Sequence, residues 1–338
     1  MHIGRRYDPL ATLNWSRANL IGPLLYSAAL TAIDQLTPYS LGIPWVLVST
    51  IAIAVAFYLG FKNSASYDRL WEARMIWGGI VNASRSWAFG ARDLVSTIHL
   101  PHDSQLEDEE LEDFRRTLVL RHVAWLDALR HQLRRVTTWE HRGRSFDRYR
   151  KKISPEYTED LSEVLAPNLA EEELEQVMAK INPAAHLLAN QSRHLAELRD
   201  WGALDGFAHM QLQGVIDELM AQQGKAERIK NFPFPRQYAT INSYFALLFA
   251  ALIPFAIIGE LGRFDDSLTL LAIPFSTLIS WVFLTTDQIG DWSENPFEGL
   301  ANDVPITAMA RQIERDMLEM IDEAELPPAR EPTGKLLM

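Results

Sequence analysis

The sequence predicts an all-α membrane protein, with four transmembrane helical segments and a large cytosolic helical bundle. Two observations predict this fold class. Hydrophobic residues make up 48% of the 338-residue chain, and they are concentrated in four blocks instead of being spread evenly. Lysine and arginine are concentrated on one side of these blocks. A bilayer core of about 30 Å requires about 20 apolar residues of helix, so blocks of this kind are candidate spans.

The four apolar blocks are residues 20–33, 43–61, 238–259 and 268–286. None of them contains a charged residue, and Asp34 directly follows the first. Helices buried in a large soluble core are the alternative interpretation, but such helices usually carry some charge at their edges. We therefore expect all four blocks to cross a membrane.

The connections between the blocks predict the topology. Residues 34–42 contain no lysine or arginine, and residues 260–267 contain a single arginine, Arg263, among three acidic residues. Basic residues lie on the other side, for example at Arg17 and Lys62. The positive-inside rule then places both termini and the middle of the chain in the cytoplasm. The first residues lack an apolar core, so no removable signal peptide is expected.

The remaining sequence is typical of helices. Ser104 and Glu107 have the spacing of an N-terminal capping box, and residues 305–321 form an amphipathic pattern. The basic stretch 141–152 is interpreted as a helix end with an exposed connection, and residues 325–338 as a loose tail.

These patterns divide the chain into four parts. We expect an N-terminal cytosolic segment with the first two transmembrane segments in residues 1–62, and a cytosolic helical region in residues 63–236. The third and fourth transmembrane segments occupy residues 237–288, and a C-terminal cytosolic helix and tail occupy residues 289–338.

Composition excludes several classes of function. The 32 basic and 44 acidic residues give a net charge of −12, which argues against a nucleic-acid partner. The absence of cysteine excludes disulfides, cysteine-ligated zinc and thiol catalysis. Dinucleotide, nucleotide, metalloprotease and serine-hydrolase motifs are missing, so we predict that the chain is not an enzyme and has no metal site.

One apolar stripe has two interpretations. Ile53, Phe57 and Phe61 are spaced four residues apart in the second block. Each step of four advances about 40° around a helix, so the three side chains lie along one slanted face. The stripe either packs against other spans or lipid, or it forms a narrow apolar ring around a symmetry axis. Such a ring can gate ions by dewetting.

Several short motifs add a resemblance to a known family. They are the run Phe57-x-x-x-Phe61-Lys62-Asn63-x-Ala65-x-Tyr67, then Arg69-x-x-Glu72-Ala73-Arg74-x-x-Trp77-Gly78, then Glu227-Arg228-Ile229 before Pro233-x-Pro235, and Glu294-Asn295-Pro296-Phe297. In this order and spacing, over nearly the whole chain, they resemble bacterial members of the bestrophin family.

The resemblance implies a ring-shaped homopentamer in a bacterial inner (plasma) membrane, with one ion pore along its axis and inorganic ions and the lipid bilayer as its partners. It implies that Ile53, Phe57 and Phe61 form a hydrophobic neck. It also implies a cytosolic constriction near Phe207, with Met210 and Gln211 as alternatives.

The residues after the Asn-Pro-Phe motif bear on calcium. Eukaryotic bestrophins hold calcium with an acidic run at this position, and calcium prefers several oxygen ligands. Oxygen-bearing side chains are present here at Asn295, Glu298, Asn302 and Asp303. Leu300 interrupts the run, so we expect no calcium dependence and no other cofactor.

The permeant ion has two candidates. The resemblance implies chloride, whereas the negative charge of each chain favours small monovalent cations at a pore mouth. A non-conducting membrane scaffold and a carrier of a small organic anion are the alternative functions.

Two groups of polar residues are assigned structural roles. Glu72 is expected to pair with Arg69 or with Arg228. Polar residues inside the spans are expected to form hydrogen bonds between helices; they are Asn242, Thr277 and Ser280.

Overall fold

A computed structural model describes residues 1–96 and 108–338, so the predicted capping box at Ser104 and Glu107 lies outside the described residues. Across those residues the regular structure is helical, apart from two isolated β-bridges. The helices in chain order are α1 (Pro9–Trp15), α2 (Arg17–Leu36), α3 (Trp45–Leu94), α4 (Asp108–Arg134), α5 (Arg144–Ile153), α6 (Leu161–Leu165), α7 (Glu171–Met178), α8 (Pro183–Trp201), α9 (Gly206–Asn231), α10 (Arg236–Gly262), α11 (Ala272–Asp291) and α12 (Ile306–Met320).

The chain divides into two compact units. One comprises residues 4–70 and 233–295, and we call it the apolar unit. The other comprises residues 1–3, 71–232 and 296–338, and we call it the polar unit. The division into four parts that the sequence suggests stays a prediction.

Over residues 1–96 and 108–338, three helices are long and apolar enough to cross a membrane. They are α3, α10 and the segment Asp266–Asp291, in which a 3-10 turn (Asp266–Leu271) leads directly into α11. The first predicted block lies in α2, which is not among these three. The structure is therefore that of an all-helical membrane protein with three candidate spans.

The core of the apolar unit lies between α3 and α10. Val48, Val55 and Leu59 of α3 are almost fully buried against α10 residues that include Phe249 and Ile253. The spacing of seven and then four residues places the three α3 side chains on one face of the helix. The opposite faces of α3 are left for other contacts.

Hydrogen bonds join the helices of the apolar unit. Ser27 of α2 and Thr277 of α11 share a hydrogen bond of 3.3 Å between their hydroxyl oxygens, which confirms the prediction for Thr277. Over the residues that the structure describes, the buried Asn242 Oδ1 and Ser280 Oγ have no hydrogen-bond partner. The same prediction is therefore not confirmed for those two side chains.

The core of the polar unit is built on α4, which packs against α8 and α12. Aromatic residues fill it, among them the fully buried Trp87 and Trp125 on either side of His122. Gly90 lets α3 approach α9 closely, because an added Cβ would lie 2.7 Å from Leu212 Cδ2.

Residues 333–338 are not loose, so the prediction of a loose tail is wrong for this part of residues 325–338. The amide of Ile3 donates to the carbonyl of Lys335 at 3.0 Å, and the amide of Leu337 donates to the carbonyl of Met1 at 2.9 Å. Met338 is buried, and its carbonyl accepts from the amide of Ala308 on α12. These backbone bonds hold residues 333–338, which the composition of the segment does not reveal.

Candidate functional site

The predicted neck residues lie on an exposed face of α3. The side chains of Ile53, Phe57 and Phe61 are 73%, 65% and 58% exposed. The rings of Phe57 and Phe61 contact each other edge to face, with centroids 4.5 Å apart at an angle of 85°. The three side chains therefore form one continuous apolar stripe that the rest of the apolar unit does not cover.

The direction of the stripe follows from the packing of α3. Val55 and Leu59 point into the interface with α10, and both are 3% exposed. Since Phe57 follows Val55 by two residues, it lies about 200° around the helix, almost opposite to it. Burial of one face thus turns the aromatic stripe away from the unit's own core.

The candidate residues for the cytosolic constriction lie in the first two turns of α9, in the polar unit. Asp205 caps this helix, because its Oδ1 accepts from the amide of Phe207 at 2.6 Å. Phe207 is 88% exposed and Met210 is 74% exposed, and Gln211 is exposed beside them. Around the helix, Met210 and Phe207 lie about 160° and 140° from the buried Leu212, whereas Gln211 lies about 100° from it.

The carboxylate of Glu298 is occupied by basic groups of the same unit. Its Oε1 accepts a hydrogen bond from the Arg150 guanidinium and one of 2.7 Å from the His141 amide. Its backbone carbonyl accepts from the hydroxyl of Tyr157 at 2.6 Å. Burial in this cluster raises the pKa of the Tyr157 hydroxyl, so it stays protonated and donates.

The carboxylate of Asp303 is also enclosed. Its Oδ2 accepts from the amides of Gly299 at 2.6 Å and Leu300 at 3.0 Å, and the Arg134 guanidinium lies 3.5 Å away. Burial raises the pKa of the Asp303 carboxyl to about 7, against the opposing effect of Arg134. Leu300 thus interrupts the acidic run, and its backbone amide donates a hydrogen bond to the Asp303 carboxylate.

The other two oxygen-bearing candidates contribute no ligand cluster. Asn295 belongs to the apolar unit, where its Nδ2 lies 3.5 Å from Glu294 Oε1, and Asn302 is half-buried in the polar unit. Across residues 1–96 and 108–338, no group of three or more histidine and acidic side chains has a geometry that could hold a metal ion.

The sequence did not indicate the basic partners of this segment. Residues 141–152 were expected to form an exposed connection, but His141 is half-buried and Arg150 is buried against Glu298. That expectation is therefore wrong for these two residues. The contacting residues are separated by more than 140 positions in the chain, and no local pattern identifies such a pair.

Two motif residues that follow the stripe in the chain make polar contacts within their own units. Glu72 forms an ion pair with Arg228 of α9, which is one of the two predicted partners. In the apolar unit, Arg69 Nε donates to the carbonyl of Glu294 at 2.9 Å, and Arg236 pairs with the Glu294 carboxylate.

Most of the chain matches one family. The profile described as "Bacterial/Fungal Bestrophin protein" matches residues 17–319. The chain belongs to the bestrophin family. Membership of this family confirms the resemblance that the motifs indicate. The chain is therefore a membrane protein with bacterial relatives.

Curated relatives of this bestrophin chain carry the names of channel-forming proteins. It is 31% identical to "Voltage-dependent anion channel-forming protein YneE" of Escherichia coli (strain K12), over 85% of this chain and 81% of the relative. It is 29% identical to "Voltage-dependent anion channel-forming protein RSc3414" of Ralstonia nicotianae, over 86% and 81%. These names describe no enzyme, in agreement with the missing catalytic motifs.

A solved structure has the same fold. The crystal structure of a bacterial bestrophin homolog from Klebsiella pneumoniae is 28% identical in sequence and superposes with a TM-score of 0.72. The match covers 91% of this bestrophin chain and 98% of the homolog.

Proposed function

We propose that this bestrophin chain assembles into a ring-shaped homopentamer that conducts small monovalent anions through a hydrophobic neck on the symmetry axis. The observation that carries the proposal is the exposed stripe of Ile53, Phe57 and Phe61 on α3. Three large apolar side chains on the free face of one span form three stacked apolar rings when the helix is repeated around an axis. Water and ions leave such a constriction readily, so small changes in its width gate conduction.

The proposal includes four spans in each chain, with α2 as the first. Its 20 residues span about 30 Å at 1.5 Å per residue, which equals the thickness of a bilayer core. Two contacts with α11 support a transmembrane position: the bond between Ser27 and Thr277, and a bond of 2.7 Å from Asn19 Nδ2 to Gln288 Oε1. Both termini are then cytoplasmic, in the inner membrane of a bacterium.

Phe207 is proposed as the second, cytosolic constriction. Its side chain is more exposed than that of Met210, and Asp205 fixes the start of the helix that carries it. An aromatic ring presents a positive edge to an anion, which the thioether of Met210 does not.

Conduction is proposed to be independent of calcium. The two carboxylates of the acidic segment, Glu298 and Asp303, are already contacted by Arg150 and Arg134. A divalent cation would have to displace these guanidinium groups before it reached the oxygens.

The test is recording from planar bilayers that contain the purified full-length chain, under a salt gradient and with a calcium chelator on both sides. We expect single-channel steps and a reversal potential of anion sign. The variant Phe57→Ala should raise the open probability by about tenfold, which corresponds to about 1.4 kcal/mol, because the apolar ring becomes wider. Phe275→Ala is the matched control, because Phe275 is half-exposed on α11 and outside the stripe.

Several results would contradict the proposal. A reversal potential of cation sign would support cation conduction driven by the negative net charge. Saturable flux without single-channel steps would support a carrier. No flux from the wild type or from a variant with Ala at positions 53, 57 and 61 would favour a scaffold. A current lost in the chelator and restored by micromolar calcium would contradict calcium independence.

A further inference from the structure

A buried ion pair lies directly beside the stripe. Lys62 follows Phe61 in α3, its side chain is completely buried, and its Nζ donates to Asp287 Oδ1 of α11 at 2.7 Å. The Asp287 side chain is 15% exposed. A lysine buried among apolar helices is costly unless it is paired, so this side chain is held where its partner lies.

Neighbouring residues fix the same two helices against each other. Asn63 Nδ2 donates to the carbonyl of Thr286 at 3.2 Å, next to the ion pair. One turn further along α11, Gly290 makes room for this contact, because an added Cβ would lie 2.5 Å from Asn63 Oδ1. We call Lys62, Asn63, Thr286, Asp287 and Gly290 the α3–α11 seam.

The seam restrains rotation of α3 about its own axis more strongly than the apolar contacts of α3 do. Apolar burial, such as that of Val55 and Leu59, is non-directional and changes little when a helix rotates by a small angle. A hydrogen bond weakens steeply as its geometry departs from linear. The polar pairs of the seam therefore determine the rotation of α3 about its own axis more strictly than the apolar contacts do.

We propose that Lys62 and Asp287 are positioning residues for the neck: their ion pair sets the rotation of α3 and thereby the position of Phe61. Adjacent residues on a helix are fixed about 100° and 1.5 Å apart, so a restraint on the backbone at Lys62 also fixes the backbone position of Phe61. Because only the proposed function assigns Phe61 to the pore, this inference depends on that assignment. The pair acts on neck geometry and makes no contact with a permeant ion.

A cysteine reporter tests the rotation without a current. The chain contains no cysteine, so Ser64→Cys gives a single thiol on an exposed position one turn after Phe61. The rate of its modification by a methanethiosulfonate reagent is measured in reconstituted full-length protein. The variant Lys62→Met/Asp287→Leu removes both charges, so it leaves no unpaired buried charge that would prevent folding.

We expect the apolar pair to change the labelling rate by about tenfold, the size of effect that contacting residues commonly exert on each other. The exchanged pair Lys62→Asp/Asp287→Lys should return the rate to within about twofold of the parent, because it restores the attraction. Arg263→Gln is the matched control, since Arg263 forms an exposed ion pair with Glu260 in the same unit.

The same proteins are then recorded in bilayers. The inference requires that the apolar pair change the open probability and leave the reversal potential unchanged. Unchanged labelling in a folded apolar pair, or failure of the exchanged pair to restore the rate, would overturn it. If labelling responds as expected but the parent protein never conducts, the proposed function fails and the positioning of Phe61 within the fold stands.

Discussion

At the scale of single residues, the segment after Phe297 is the clearest departure from a calcium site. Glu298 pairs with Arg150 of the same unit, whereas Asp303 lies 3.5 Å from Arg134 and burial raises the pKa of its carboxyl to about 7. The planar guanidinium of arginine presents several N–H donors to a carboxylate and stays positively charged. It therefore supplies the positive charge that a bound cation would otherwise supply. The segment is therefore stabilised from within the chain.

His122 gives a prediction at this scale. It is fully buried in the polar unit between Trp87 and Trp125, and its Nε2 lies 2.9 Å from Ser84 Oγ. Burial lowers the pKa of His122 from 6.5 to about 3, so the folded chain keeps it neutral. The unfolded chain binds a proton below pH 6.5, and stability is therefore lost as the pH falls through that value.

We expect the free energy of unfolding to fall by about 2 kcal/mol between pH 7 and pH 5 through this residue alone. His122→Phe should remove this part of the pH dependence, although it lowers stability at every pH because Ser84 loses its partner. Unfolding of the detergent-solubilised protein is followed by tryptophan fluorescence. His209→Gln, at a half-exposed position on α9, is the control. An equal slope in the His122→Phe variant would contradict the assignment.

The sequence could predict the residues of the stripe but not the contacts that orient it. Spacing alone places Ile53, Phe57 and Phe61 on one face, because a helix has a fixed period. The partner of Lys62 lies 225 positions away, and no periodicity connects two such residues. For the same reason the basic residues around Glu298 could not be recognised in advance.

At the scale of elements, the bounds of a helix could be predicted where a single sequence pattern covers the helix from its first to its last residue. The pattern over residues 305–321 corresponds closely to α12, Ile306–Met320. The apolar block 43–61 identifies only part of α3, which continues to Leu94. Hydropathy changes sharply at Lys62 where the block ends, whereas helix formation depends on backbone bonds that charged residues also support.

Packing of α10 against the segment before α3 gives a prediction at this scale. The amide of Ile43 donates to the carbonyl of Phe255 at 3.1 Å, so the two segments lie very close together. An added Cβ on Gly259 would lie 2.7 Å from the carbonyl oxygen of Ile43, which is backbone and cannot move aside. Gly259→Ala should therefore cost about 1–3 kcal/mol of stability, as overpacking does.

Gly262→Ala on the same helix is the matched control for this substitution. Its added Cβ would lie 3.6 Å from Thr269 Cγ2, an ordinary van der Waals contact. Thermal unfolding in detergent should show a lower midpoint for Gly259→Ala and an unchanged or higher midpoint for Gly262→Ala, because alanine favours helix more than glycine does. Equal midpoints for the two variants would mean that the close approach at Ile43 is not rigid.

At the scale of the whole molecule, the net charge opposes the proposed ion. Each chain carries a formal charge of −12, and the proposed pentamer would multiply it by five. Such a field attracts cations, so anion preference must come from local groups that lie closer to the ion than the bulk of the charge does. Salt distinguishes the two contributions, because the screening length falls from about 30 Å at 0.01 M to about 3 Å at 1 M.

We therefore expect the anion preference to increase with ionic strength. Reversal potentials at a constant tenfold gradient, measured around 0.01 M and around 1 M, give the ratio of anion to cation permeability at each screening length. The ratio should be higher in concentrated salt, where the distant acidic residues no longer act on the pore. A constant ratio would show that the distant charge plays no part in selectivity, and a falling ratio would contradict a distant field that attracts cations.

The continuity of α3 has a mechanical consequence. No proline interrupts the helix between Trp45 and Leu94, and it contributes to both compact units. A continuous helix resists twisting because every turn is tied to the next by its backbone bonds. Within the apolar unit, a twist of α3 at Val48 is therefore carried along the backbone to Phe61. A ligand with different affinities for two rotations of this part of the helix would be thermodynamically linked to the exposure of the stripe, and the stripe in turn would alter its affinity by the same factor.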